Sequence, residues 1–86
     1  MNNTIYVVYA SYYNTMEEMF VFTDYEQATA KQLELSLKWV NSDKFNAFLQ
    51  ANPTIAITVD TMTDYYMENE EDTYVGFIER ILITKD

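Results

Sequence analysis

Residues 18–26, Glu18-Met19-Phe20-Val21-Phe22-Thr23-Asp24-Tyr25-Glu26, change their pattern halfway along, and that change decides the fold class. Glu18 to Phe22 is aromatic and apolar and reads as a strand. Thr23, followed three residues later by Glu26, fits a capping box with Thr23 as N-cap. Phe22 and Gln27 form no hydrophobic staple, so this helix start rests on its polar part. A strand feeding directly into a helix puts both element types in one unit.

Upstream, Ile5-Tyr6-Val7-Val8-Tyr9-Ala10-Ser11 is β-branched and aromatic with apolar residues on both faces, the pattern of a central strand. The link Tyr13-Asn14-Thr15-Met16 is short enough for a hairpin. Downstream, the helix is expected from Asp24 to about Val40, with Ala30, Leu33, Leu37 and Val40 as its apolar stripe. Asn41-Ser42 interrupts it. Ser42 is placed to cap a second, short helix through Phe45, Phe48 and Leu49, which Asn52-Pro53 ends. Ile55, Ile57 and Val59 alternate with Ala56, Thr58 and Asp60, which is strand periodicity. The run Glu68 to Asp72 reads as a solvated turn, and Tyr74 to Thr84 as a last strand, apolar on both faces and so central. The expected fold is α+β: a four-stranded, mostly antiparallel sheet (ββα(α)ββ) with one long and one short helix on one face. With the first and last strands central, the order is 2-1-4-3. No linker, repeat or low-complexity tract interrupts the chain, so residues 1–86 are expected to form a single domain.

Composition removes most catalytic templates. The chain has no His and no Cys, one Gly (Gly76) and one Pro (Pro53). Without His it lacks the usual acid–base group near neutral pH and the commonest metal ligand. Without Cys there is no disulfide frame, thiolate nucleophile or zinc–sulfur site. One glycine leaves no phosphate-cradling loop. No enzyme, cofactor or metal is expected from this inventory. Eight Tyr, five Phe and one Trp supply a core large enough for a small domain. No apolar run approaches the ~20 residues that span a bilayer, and Met-Asn-Asn-Thr at the start has no basic character. The expected compartment is therefore the cytoplasm.

Fourteen acids against five bases give a net charge of −9. No Lys or Arg lies between Lys44 and Arg80, whereas Asp60, Asp64, Glu68, Glu70, Glu71, Asp72 and Glu79 all do. Direct binding to nucleic acid needs cations at the phosphates, and an anionic membrane needs them too, so neither is an expected partner. A cationic protein is. Solubility alone would also account for the charge.

Two groups of residues are candidates for partner binding. Read as a strand, residues 58–66 put Thr58, Asp60, Met62, Asp64 and Tyr66 on one face, the solvent face, leading into Glu68, Glu70, Glu71 and Asp72 as one negative edge. Such an edge could occupy a groove built for a nucleic-acid backbone; without a partner it would be an edge strand guarded by charge. Asp60, Asp64 and Glu68 are oxygen ligands, but no Asp-x-Asp-x-Asp-Gly loop accompanies them, and nothing marks a sugar cleft for a carboxylate pair. The second group is Leu35 and Trp39, which with Ala28 lie opposite the Ala30/Leu33/Leu37/Val40 stripe. That face would meet a partner or a second copy in a homodimer, unless the Phe45/Phe48 helix folds over it. In the doublets Tyr12-Tyr13 and Tyr65-Tyr66, strand alternation would send one Tyr to the core and one to the surface.

A short, cysteine-free chain with clustered Asp/Glu and Tyr resembles the small acidic proteins that bacteriophages encode against host systems, the anti-CRISPR and anti-restriction DNA mimics. The stretches Ile5-Tyr6-Val7-Val8-Tyr9-Ala10-Ser11 and Val21-Phe22-Thr23-Asp24-Tyr25-Glu26-Gln27-Ala28 are also similar to small phage reading frames. The resemblance implies a stoichiometric inhibitor in the host cytoplasm that covers the nucleic-acid-binding surface of a defence protein. It carries no motif from which site residues transfer.

Overall fold

Strands β1 (Asn2–Tyr12) and β2 (Thr15–Phe22) form the expected hairpin, in a computed structural model that describes residues 2–83. The turn is tighter than expected. Tyr12 pairs with Thr15, leaving only Tyr13 and Asn14 between the strands, both with positive φ (52° and 63°). Two left-handed residues match the strand twist in a two-residue hairpin, and Asn suits the conformation while Tyr does not. A bulge follows: Ala10 opposes Glu18 but Ser11 opposes Met16, so Glu17 is the extra residue.

Helix α1 (Tyr25–Lys38) is capped one residue later than expected. Asp24, not Thr23, is the N-cap, its carboxylate accepting from the Glu26 amide at 3.0 Å. The buried face of α1 is also not the expected one. Ala28, Gln32, Leu35 and Ser36 are buried; of the expected stripe, Leu33 and Val40 pack half-buried against the core, while Ala30 and Leu37 are exposed. Small Ala28 and Ser36 let the helix approach the sheet, and the Ser36 hydroxyl is satisfied locally by donating to the Gln32 carbonyl at 2.7 Å. Polar residues at core positions hid this stripe from the apolar periodicity.

Helix α2 (Ser42–Ala51) is capped by Asn41 rather than Ser42, the Asn41 side chain accepting from the Lys44 amide. It buries no residue fully and attaches through aromatics: Phe45 and Phe48 each meet Tyr65 edge-on, at 5.2 and 5.1 Å between ring centres.

The largest departure comes next. Residues 58–66 are not a strand. The expected third strand is an extended link that ends in a third helix, α3 (Val59–Asn69). Thr58 and Thr61 cap each other reciprocally: the Thr61 amide donates to the Thr58 hydroxyl and the Thr58 amide to the Thr61 hydroxyl. Met62, Tyr65 and Tyr66 then fall at helical spacing and are all buried. The Tyr66 hydroxyl donates to the Ser36 carbonyl at 2.6 Å and ties α3 to α1.

Strand β3 (Thr73–Ile83) closes the fold, antiparallel to β1 along its whole length; Thr84, the expected end of this strand, lies outside the described residues. The sheet order is β2-β1-β3. The fold is thus α+β with an antiparallel sheet, as expected, but with three strands and three helices. β1 is central; β3, expected to be central, is an edge among the described residues, because the strand meant to flank it is helical.

Helices α1 and α3 pack on one face of the sheet, and α2 attaches to α3 through Tyr65. Val8, Ala10 and Val75 of that face join Ala28, Leu35, Met62, Tyr65 and Tyr66 in the core. Tyr6, Phe20, Phe22 and Phe77 pack around them. The radius of gyration, 14.8 Å, exceeds the roughly 12 Å expected for a compact chain of this length. The extents of 55 × 28 × 16 Å describe a slab one helix layer thick.

Candidate protein-interaction cleft

Three connections meet at one end of the slab: the β1–β2 hairpin tip, the α1–α2 corner and the α3–β3 link. They enclose an open cleft of about 390 Å³. Aromatic walls come from Tyr12, Tyr13 and Trp39, and acidic ones from Glu70, Glu71 and Asp72, with Lys44 the cation among the lining residues.

Each wall has a local cause. At the tip, Tyr12 and Tyr13 meet edge-on at 4.4 Å, and both are exposed. Left-handed backbone costs a bulky residue about 1–2 kcal/mol. At Tyr13 the conformation is held by its amide, which donates to the Asp72 carbonyl at 2.8 Å and joins the tip to the α3–β3 link. The Tyr13 phenol is held above its ordinary value, first by hydrogen bonding with Tyr12 and then by the negative charge of Asp72. Trp39, the C-cap of α1, is half-buried, and its indole N–H donates to the Glu18 carboxylate at 2.7 Å. Lys38 donates to both oxygens of the same carboxylate at 2.9 Å. These two donors, Lys38 first, keep Glu18 below the usual carboxylate range.

Glu70 differs from its neighbours. One of its carboxylate oxygens accepts from the Tyr65 hydroxyl at 2.6 Å and from the Asn41 amide at 2.7 Å. It therefore joins α3 to the start of α2 and satisfies a tyrosine that would otherwise be buried without a partner. Glu71 and Asp72 stand exposed. Burial pushes the phenols of both Tyr65 and Tyr66 well above their ordinary value, and Glu70 adds to it, by its hydrogen bond and then its charge at Tyr65 and by its charge at Tyr66.

The residues expected to bind a partner are thus only partly brought together. Glu70, Glu71, Asp72 and Trp39 line the cleft. Asp60, Asp64 and Glu68 are exposed and form a stripe at intervals of four residues on α3, about 6 Å apart along its axis. Glu68 lines a second, more open groove of about 440 Å³ that shares Lys44 with the cleft. Tyr66 leaves the expected site: it is 2 % exposed and belongs to the core. Leu35 leaves it too, also at 2 %, because the α1 face expected to meet a partner is the one packed on the sheet. The Phe45/Phe48 helix packs on Tyr65. Neither tyrosine doublet splits as strand alternation would have it, since Tyr65 and Tyr66 are both buried and Tyr12 and Tyr13 both exposed. Among the described residues, no three carboxylates come close enough to hold a metal ion, and no helix is long and apolar enough to cross a membrane.

A second surface was not anticipated. The sheet face without helices carries Ile5, Val7 and Tyr9 from β1, Met19 and Val21 from β2, and Tyr74 and Ile78 from β3, by pairing register and strand alternation. None of these side chains joins the core, and Met19 and Val21 are more than half exposed. The Tyr9 ring lies across Gly76, where a Cβ would run into it, and so fills the centre of the face. Its signal in the sequence is strands apolar on both sides, a pattern that central position in a wider sheet also produces.

No family model, curated protein or solved structure matches this chain.

Proposed function

We propose that the protein is a non-enzymatic binding module that covers a cationic surface of another protein, with the end cleft as its anchor and the acidic stripe of α3 as its approach. The observation that carries this reading is the placing of exposed Glu71 and Asp72 beside Tyr12, Tyr13 and Trp39 in one cleft. Aromatic side chains next to carboxylates suit the Arg or Lys side chains of a partner, which take both ion pairing and stacking on a ring. Carboxylates at regular intervals on α3 add long-range attraction, which speeds encounter more than it tightens the complex. Surfaces dense in Arg and Lys are chiefly those that hold nucleic acid, so a nucleic-acid-binding protein is the partner class this geometry fits. Blocking such a surface needs no catalytic group.

Two double charge reversals separate a site from a merely acidic protein. Glu71→Lys/Asp72→Lys alters the cleft, whereas Glu26→Lys/Glu34→Lys makes the same change of net charge on α1. Each is used as bait in a lysate at low and high salt, beside the wild type. The expected result is a nucleic-acid-binding partner released by salt and competed by DNA or RNA, lost with the cleft variant and retained with the α1 variant. Equal retention by both variants, or equal loss, would remove the cleft from the reading.

A further inference from the structure

We infer that the bare face of the sheet is the contact between two copies of this chain. This surface is separate from the acidic cleft and does not depend on the function proposed for it.

The first argument is charge. In a chain with fourteen acids, no carboxylate falls on the regular register positions of this face from Ile5 to Ser11, Met19 to Val21 or Tyr74 to Arg80. The acids sit on the helix layer, the links and the sheet margins. Two chains each carrying −9 repel, and among the described residues this face lets them meet without a carboxylate on its regular positions.

The second argument is area. Strands of 11, 8 and 11 residues, at about 3.4 Å per residue and about 4.8 Å between strands, give a face of roughly 490 Å². A pair of such faces buries roughly 1,000 Å² before side-chain relief is added, the size of a weak, reversible interface.

The third argument is polarity along the strand. Arg80 is the charged residue on the regular positions of this face and lies toward one end of it; Tyr74 lies at the other. A two-fold axis across the strands sets the Arg80 end of each copy over the Tyr74 end of the other, which makes the contact self-complementary. The pair is then a sandwich of two three-stranded sheets with strands nearly aligned and both helix layers outward. Both acidic clefts stay accessible.

The dimer is expected to be micromolar, populated at about 100 μM and dissociating near 1 μM. Sedimentation equilibrium of the wild type should give about twice the chain mass of 10.2 kDa at the higher concentration. Met19→Glu/Val21→Glu, at exposed positions, should sediment as a monomer at least a hundredfold above that dissociation range. Leu37→Glu/Met67→Glu, exposed on the helix layer, should remain dimeric. Circular dichroism checks that each variant is folded. Amide shifts of the wild type on dilution give a measurement that needs no variant: Val7, Tyr9, Val21 and Ile78 should move, and Ala28, Leu35 and Met62 should not. A wild type at monomer mass throughout, a dimeric Met19→Glu/Val21→Glu, or dilution shifts centred on the helix layer would each overturn the inference.

Discussion

The two faces of the sheet are both apolar, yet only one is covered. On the helix side, Val8 and Ala10 are fully buried and the Tyr6, Phe20 and Phe77 rings close around them. On the other side Val7 and Tyr9, their neighbours in the chain, meet no second layer, and Val21 is 56 % exposed. The chain's charge follows the same division, with carboxylates abundant on the helix layer and absent from the regular positions of the bare face. Solubility alone would not distribute acids so unevenly. The difference fits one surface that meets a cationic partner through water and salt, and another that meets an apolar partner by excluding water.

The sharpest break of this comparison is a buried charge. Val8→Asp leaves an unpaired carboxylate in the core and should cost several kcal/mol, enough to abolish folding. Val21→Asp on the bare face should change monomer stability by no more than about 0.5 kcal/mol. Urea unfolding at low protein concentration, followed by circular dichroism, checks the pair.

Within the acidic run the same contrast repeats at smaller scale. Glu70→Ala removes the acceptor for both the Tyr65 hydroxyl and the Asn41 amide and should cost about 2–3 kcal/mol. Glu71→Ala, one residue on, should cost less than about 0.5 kcal/mol. Equal costs would mean that the run acts only through its summed charge.

Alkaline pH probes the covered side. Tyr65 and Tyr66 have folded pKa values above the unfolded value, so the unfolded chain loses its protons first as pH rises. Their contribution is therefore complete below about pH 10 and is lost progressively above it. The urea midpoint should fall there, and Tyr66→Phe should flatten the fall while lowering stability at neutral pH by about 1–2 kcal/mol. A midpoint independent of pH across that range would contradict the buried hydroxyls.

The smallest effects are expected at the margins. Gly76→Ala should displace the Tyr9 ring at little cost to the monomer and weaken self-association, read as a lower dimer fraction. Tyr13→Gly should leave stability unchanged or raise it by up to about 1 kcal/mol, by relieving the left-handed tyrosine, while weakening capture of a cationic partner. A loss of stability with Tyr13→Gly would show that its ring, rather than its backbone bond to Asp72, holds the tip.

Much of the architecture was legible because local signals agreed with the tertiary outcome. The hairpin, the strand-to-helix change near Thr23-Asp24 and the stop at Asn52-Pro53 all lie close to where their residues place them. The misreadings share a cause. Ile55 to Tyr66 is β-branched and alternates, so strand periodicity masked the Thr58/Thr61 cap and the helical spacing of Met62, Tyr65 and Tyr66. On α1, Gln32 and Ser36 occupy core positions, so apolar periodicity pointed to a stripe of which Leu33 and Val40 reach the core and Ala30 and Leu37 do not. Of the candidate site, Glu71, Asp72 and Trp39 were legible as an acidic turn and an aromatic anchor. That the hairpin tip joins them follows only from the bond between Tyr13 and Asp72, which spans the fold. The bare face was hidden because the sheet was expected to be wider.

Salt should act on the two surfaces in opposite directions, and the mass of the wild type across a salt titration tests that division most directly. Screening removes the repulsion between chains of −9 while leaving apolar contact intact. Sedimentation at one fixed protein concentration should therefore give a dimer fraction that holds or rises from low to molar sodium chloride. A dimer that dissolves as salt rises, or a monomer at every salt concentration, would contradict an apolar contact on the open face of the sheet.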